Sequence, residues 1–337
     1  MKLMGEKPMK KLLVLTTGGT IASTKTAQGL APGMTANELM TYVVPRDNVT
    51  ISVENIMGKD STNMQPEDWL IIARRILEQQ DEFDGFVVTH GTDTMGYTAA
   101  ALSYLLYGIK RPVVLTGSQI PISETQSDAI RNLDDAVTFA SQTHLTGVYL
   151  VFNGLVMMGT RAVKTKTKSY DAFESINYPY LASVNAGEMV SLYEPEPEEH
   201  LLKAHTSLDP NIFVVKAFPG LSVDIFDYLV ENTHGVIIES FGNGGLPFQR
   251  RNLIPGIEKL IAANIPVIIT TQILEEGQDI NLYEVGKRVA DAGGVTVGDM
   301  NTEAVVAKLM WVLDQTRDPQ TITKMIQTQT AHDIGFV

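Results

Sequence analysis

The chain alternates short aliphatic runs with segments of helical period, and this alternation constrains its fold more than any other feature. Strands are expected at 11–17, 49–55, 85–89, 112–116 and 147–152. Between them, "PEDWLIIARRILEQQ" sets Trp69, Ile72, Ala73, Ile76 and Leu77 on one helical face, with Pro66 suited to a first turn. The segment 125–141 repeats the pattern with Ala129, Leu133, Val137 and Ala140. Uninterrupted aliphatic strands separated by amphipathic helices are buried on both faces, which means βα units and a mostly parallel sheet.

Around 191–210 the pattern lapses into "SLYEPEPEEHLLKAHTSLDP", polar, acidic and proline-containing, the composition of a linker. Alternation then resumes, with strands near 212–217, 235–240 and 266–271 and helices near 222–231, 251–263, 281–292 and 302–316. The reading is an α/β protein of two α/β domains. A larger N-terminal, mostly parallel domain occupies 1–190, a linker 191–210, and a smaller C-terminal domain 211–337. A length of 337 residues agrees with that division. Residues 1–9 precede a second natural beginning at Met9-Lys10-Lys11 and are read as a loose extension.

Composition removes several function classes. A formal charge of −13 opposes binding to nucleic acid or to an anionic membrane surface. No run approaches the roughly 18 apolar residues of a membrane span. "LLVL" is too short for a signal-peptide core, which favours the cytoplasm. With no cysteine, disulfides and thiol catalysis are out.

Three strand ends share one chemistry: "VLTTGGT" (14–20), "VVTHGTDT" (87–94) and "VLTGSQ" (114–119). In an open parallel sheet the carboxyl ends of the strands lie on one edge, where ligands bind. Together these loops offer the hydroxyls of Thr20, Thr92 and Ser118, the carboxylate of Asp93 and many backbone N–H groups. That set suits a small molecule with an ammonium, a carboxylate and an amide. The blander readings are a tight turn at Gly18 and Gly19, and a turn in which Asp93 caps backbone N–H groups. A phosphate loop lacks its lysine and its glycine spacing. His90 and Asp93 have no second histidine at ligand spacing, so no metal is expected. No G-x-S-x-G elbow occurs. A threonine nucleophile needs a base or proton relay. The segment 159–179 supplies Lys164, Lys166 and Lys168, any of which could reach inward while the others stay solvated.

"TTGGTIAS" and "VVTHGTDTM", about 70 residues apart and in this order, resemble the two signature stretches of the bacterial-type L-asparaginase family. The likeness continues through "DSTNMQPEDW", "VVLTGSQIPI", "SYDAFESINYP", "GDMNTEA" and "KLMW", and is greatest to the cytosolic type I branch. It implies the two-domain α/β fold, a homodimer or homotetramer, and hydrolysis of L-asparagine to aspartate and ammonia. Thr20 matches the nucleophile, and Thr92, Asp93 and Lys164 match the threonine–aspartate–lysine relay, Lys164 being chosen by counting back from "DAFES". Ser61 and Thr62 fall where the family binds the substrate α-carboxylate, and Asp93 where it holds the α-ammonium. Ser118 falls in the loop near the scissile amide. The threonine–lysine chemistry implied by the resemblance calls for no cofactor. Two positions depart from the pattern. Leu30 stands where many members carry a lid tyrosine, leaving Tyr42 or the Thr92–Lys164 pair to assist Thr20. Gly245 stands where many have asparagine, which leaves Asn243 as a substrate or interface candidate. Broader action on glutamine, an amidotransferase subunit and a non-catalytic amino-acid sensor are the competing readings. The amidotransferase relative carries an added N-terminal domain, whereas here the signature begins within about twenty residues of the start.

Overall fold

The computed structural model describes residues 9–19, 21, 23–26, 29–32, 36–198, 200–203 and 205–336, with side chains omitted at 23–26, 29–32 and 36–37. It forms two compact units: residues 1–175 with 179–204, and residues 176–178 with 205–337.

The first unit opens with β1 (Lys10–Gly18) and an antiparallel pair, β2 (Ser23–Thr26) and β3 (Gly29–Pro32). There follow α1 (Ala36–Met40), β4 (Val49–Lys59), α2 (Pro66–Gln79), β5 (Gly85–Thr89), α3 (Met95–Leu105), β6 (Pro112–Thr116), α4 (Ala129–Gln142) and β7 (Gly147–Phe152). The short strands β8 (Leu155–Met158), β9 (Ala162–Lys164), β10 (Phe173–Ser175), β11 (Ala182–Asn185) and β12 (Glu188–Ser191) complete it. The main sheet has the order β12-β11-β8-β7-β6-β5-β1-β4. From β4 to β7 it is parallel; β8, β11 and β12 extend it antiparallel. Asn153-Gly154, both at positive φ, make the β7–β8 turn, and Asn-Gly is the residue pair such a hairpin favours. The strands are aliphatic because both faces are covered: β5 and β6 are buried at every residue.

The chain runs from β1 to β4 on one side of β1, then to β5 on the other. β1 is therefore the switch point of the parallel sheet, the place where such sheets open a crevice at their carboxyl edge. Thr16, Thr89 and Thr116 lie in one row across β1, β5 and β6 at that edge.

One expected helix is shorter than its sequence pattern, and α3 is a helix the pattern does not announce. The helix expected at 125–141 begins at Ala129. Asp128 accepts the backbone N–H groups of Gln119 and Ile120, holding the preceding segment as a loop. α3 carries no polar stripe, because ten of its eleven residues are buried.

The second unit holds β13 (Ile212–Lys216), α5 (Ile225–Asn232), β14 (Gly235–Ser240), α6 (Ile254–Ala262), β15 (Val267–Thr271), α7 (Glu284–Asp291), β16 (Val295–Thr296), α8 (Thr302–Gln315) and α9 (Pro319–Gln327). Its sheet is parallel throughout, in the order β13-β14-β15-β16. Val236, Ile238, Val267 and Ile269 pack with Phe226, Leu229, Ile257 and Leu260 in its core. Lys308 and Asp333, both fully buried, form an ion pair of 2.7 Å that ties α8 to the C-terminal segment.

Candidate functional site

The loops after β1, β4, β5 and β6 meet at the carboxyl edge of the first unit's sheet. Gly19 donates its N–H to Lys59 O at the end of β4. On its other side it lies against the loop after β5, so closely that a Cβ would stand 2.3 Å from Gly91 N. Its φ of +76° is open to glycine and costly for other residues. Gly91 in turn packs on Ser61, whose Oγ accepts the Asp93 N–H at 3.3 Å and whose carbonyl accepts Thr94 Oγ1 at 2.7 Å. Gly117, after β6, lies against the His90 carbonyl. Thr20 itself lies outside the described residues; its neighbour Gly19 is held at this junction.

Of the three lysines in the basic segment, Lys164 is the one that turns inward. It ends β9, whose antiparallel pairing with β10 matches Lys164 to Phe173. From there its Nζ donates to Thr92 Oγ1 at 2.7 Å and to Asp93 Oδ1 at 2.6 Å. Lys166 is held on the surface by Asp171 at 2.6 Å, an ion pair that raises its pKa. Lys168 is exposed. Asp93 therefore uses its carboxylate on a lysine and its N–H on Ser61, in place of capping backbone N–H groups. Its position just before α3 also favours negative charge, since unpaired N–H groups collect at a helix start.

The other candidates divide. Ser61 is buried at the junction, whereas Thr62 is exposed and hydrogen-bonded through both N and Oγ1 to Asp60. Ser118 is fully buried, and its hydroxyl donates to Ile120 O at 2.7 Å. Asn243 belongs to the second unit, where its Oδ1 accepts the Asp279 N–H at 3.1 Å. Leu30 falls in β3, among the residues whose side chains are not described. Tyr42 follows α1, its N–H bonded to Leu39 O.

Sequence reasoning passed over Gln119 and Asp128. Gln119 Oε1 accepts the Thr92 hydroxyl at 3.2 Å while Nε2 donates to Ser169 O. Asp128 fixes the Gln119 backbone, and Asn132 joins Asp128 to the Gly117 carbonyl. The signal for Gln119 was its place within "VLTGSQ"; for Asp128 no local pattern exists. His90 is fully buried, and desolvation lowers its pKa to about 4, so it is neutral at pH 7. Among the described residues no group of three or more His, Asp and Glu side chains is arranged to hold a metal ion.

This edge presents a lysine between a hydroxyl and a carboxylate, groups able to move a proton and to receive an ammonium group. Comparison with known proteins gives the family. The family described as "Asparaginase, N-terminal" matches residues 11–197, and "Glutaminase/Asparaginase C-terminal domain" matches 211–326. An L-asparaginase of Thermococcus kodakarensis is 42% identical over 96% of this chain and 99% of its own length. Its solved structure superposes with a TM-score of 0.92. L-asparaginase 1 of Escherichia coli K12 is 34% identical, covering 94% of this chain and 95% of its own. A glutamyl-tRNA(Gln) amidotransferase subunit of Pyrococcus abyssi is 33% identical over 98% of this chain and 78% of its own length. The chain, with its larger mostly parallel N-terminal domain and smaller C-terminal α/β domain, belongs to the asparaginase family.

Proposed function

We infer that this chain hydrolyses L-asparagine to L-aspartate and ammonia, with Thr20 as nucleophile and Thr92, Asp93 and Lys164 as its proton relay. One observation carries the reading: Lys164 Nζ lies within hydrogen-bond distance of both Thr92 Oγ1 and Asp93 Oδ1. An amine thus stands against a hydroxyl, beside the loop that delivers Thr20. A threonine hydroxyl is a weak nucleophile until a neighbour takes its proton.

In the proposed sequence the Thr20 oxygen bonds to the side-chain amide carbon and gives up its proton. The amide nitrogen gains a proton as the C–N bond breaks, and ammonia leaves an aspartyl ester on Thr20. Water then adds to the ester carbon, the Thr20–carbon bond breaks, and aspartate departs with the hydroxyl restored. Thr92 and Lys164 carry the protons between these steps. Asp93 receives the substrate α-ammonium, Ser61 and Thr62 its α-carboxylate. Ser118 lines the loop near the scissile amide and acts through its bond to Ile120 O, and Asn243 serves as a substrate or interface residue. No cofactor enters the sequence. We further assign the relay to residues 1–190, a linker to 191–210 and the smaller domain to 211–337, in a cytoplasmic homodimer or homotetramer.

The test is ammonia release from purified protein with asparagine, with glutamine and with neither, repeated for Thr20→Ala and Lys164→Met. The wild type should turn over asparagine, and each variant should lose roughly a thousandfold or more. Undiminished turnover in Thr20→Ala removes the nucleophile assignment. Equal turnover of glutamine would broaden the substrate class. Ammonia released only with a partner protein and a charged tRNA would favour the amidotransferase reading suggested by the Pyrococcus relative.

A further inference from the structure

His90 stands between the sheet and the loop that carries Thr92 and Asp93, and no step above uses it. Its Nδ1 lies 2.7 Å from Gly91 O and its Nε2 2.9 Å from Thr98 Oγ1. Trp69 Nε1 lies 2.9 Å from the same threonine oxygen. The directions of these three bonds follow from what each group can do. A carbonyl only accepts, so Nδ1 carries hydrogen. A neutral imidazole has one N–H, so Nε2 accepts, and Thr98 gives it the hydroxyl proton. An indole N–H only donates, and it fills one of the two lone pairs on the Thr98 oxygen. Every group in the chain Trp69–Thr98–His90–Gly91 is satisfied in one arrangement alone. Burial keeps the ring neutral, outweighing the Gly91 carbonyl and the Asp68 carboxylate, the latter already paired with Lys59.

The Gly91 carbonyl belongs to the peptide unit whose nitrogen is that of Thr92. Gly91 cannot be steered by its own side chain, and it is the residue on which Gly19 and Ser61 both pack. The geometry points to His90 as a positioning residue: its Nδ1–H holds the Gly91–Thr92 peptide plane and so aims the Thr92 hydroxyl at Lys164 Nζ. This assignment rests on Thr92 and Lys164 acting as the relay described above. His90 touches no substrate atom.

Two substitutions separate positioning from core filling. In His90→Asn the side-chain amide nitrogen falls near the Nδ1 position and keeps the donor to Gly91 while losing Thr98. In His90→Gln the amide reaches towards Thr98 and leaves the Gly91 carbonyl without its donor. Each removes one bond from the same buried site, so melting temperatures should fall in both. The expected kcat per folded molecule is within roughly tenfold of wild type for His90→Asn and down roughly a hundredfold for His90→Gln, with KM changing less than kcat. Equal losses in the two variants would reduce His90 to packing. Imidazole ¹⁵N shifts of the labelled wild type should show a protonated Nδ1 and bare Nε2 from pH 8 to 5.5; a proton on Nε2 overturns the assignment. Thr92 amide hydrogen exchange should accelerate in His90→Gln and not in His90→Asn. These two spectroscopic readouts need no turnover. An inactive wild type with the stated tautomer and exchange pattern would sink the asparaginase reaction while leaving the peptide-holding role intact.

Discussion

Replacing Gly19 by alanine tests whether the end of β1 and the loop after β5 form one packed unit. The added methyl would stand 2.3 Å from Gly91 N, 2.4 Å from Gly91 Cα and 2.8 Å from the His90 carbonyl carbon, against an ordinary contact of 3.4–4 Å. All three are backbone atoms, so no rotamer change relieves the clash and the loops must part by about 1 Å. Overpacking of this kind costs about 1–3 kcal/mol, and the left-handed φ adds about 1 kcal/mol more. At about 2–4 °C per kcal/mol for a unit of this size, the melting temperature should fall by roughly 4–16 °C. On the proposed roles of Thr20, Thr92 and Lys164, a separation near 1 Å between the end of β1 and the loop after β5 should cost roughly a hundredfold in turnover. The assay is calorimetry with ammonia release at saturating asparagine. Gly58→Ala serves as the internal control, because it is exposed and a Cβ there meets nothing within 4 Å. It should leave the rate unchanged. A Gly19→Ala protein melting within about 2 °C of wild type and turning over within about twofold would refute the packing argument.

Three other outcomes follow from groups described above. Lys308→Met leaves the Asp333 carboxylate buried opposite an apolar side chain and should destabilise the second unit by about 3–5 kcal/mol. The double variant Lys308→Met/Asp333→Leu should regain most of that in denaturant titration. Burial raises the Asp135 pKa to about 6, above its unfolded value, so stability is present below the unfolded pKa and lost as pH rises through about 6. Asp135→Asn should therefore melt higher than wild type at pH 8, by about 1 kcal/mol after screening by solvent and Arg131, and lose that advantage by pH 4. His90 works in the opposite sense. Its folded pKa of about 4 lies below the usual 6.5, so the unfolded chain takes up the proton first as pH falls. Relative to His90→Asn, the wild type should lose up to about 3 kcal/mol of unfolding free energy between about pH 6.5 and pH 4, read from melts at matched ionic strength.

Much of the parallel core was legible because its strands are continuous aliphatic runs: 85–89, 112–116, 147–152 and 235–240 coincide with β5, β6, β7 and β14. Burial on both faces forces that composition, so composition betrays it. α3 escaped for the complementary reason. It is buried all round, and a helix without a polar face has no period to read. β8, β11 and β12 are four residues each, too short for alternation to register, although Asn153-Gly154 advertised the first of their turns. At the site, residue types and loop identities were readable, and side-chain direction was not. Nothing in "KTKTK" distinguishes Lys164 from Lys166, because the choice is made by pairing with β10 and by Asp171. Ser118 has the look of a solvent-facing loop hydroxyl, yet Asp128 draws in the backbone beside it and its hydroxyl closes on Ile120. Gln119 meets Thr92 across 27 residues and Trp69 meets Thr98 across 29, separations that no local pattern encodes.

The placement of β1 has a consequence for how the molecule is made. The first strand of the main sheet to leave the ribosome is an interior one, and both its neighbours, β4 and β5, are synthesised later. Until they arrive, β1 has two open edges and nothing to pair with. The contact between Lys164 and Thr92 spans 72 residues of chain and closes later still. Loop-closure entropy must be met before such distant pairings reward it, so the site closes later than contacts within a single βα unit. A nascent or truncated chain ending before Lys164 contains Thr92 and Asp93 but lacks the amine that joins them. The edge that carries these side chains is thus assembled only when translation has passed the whole of the parallel sheet.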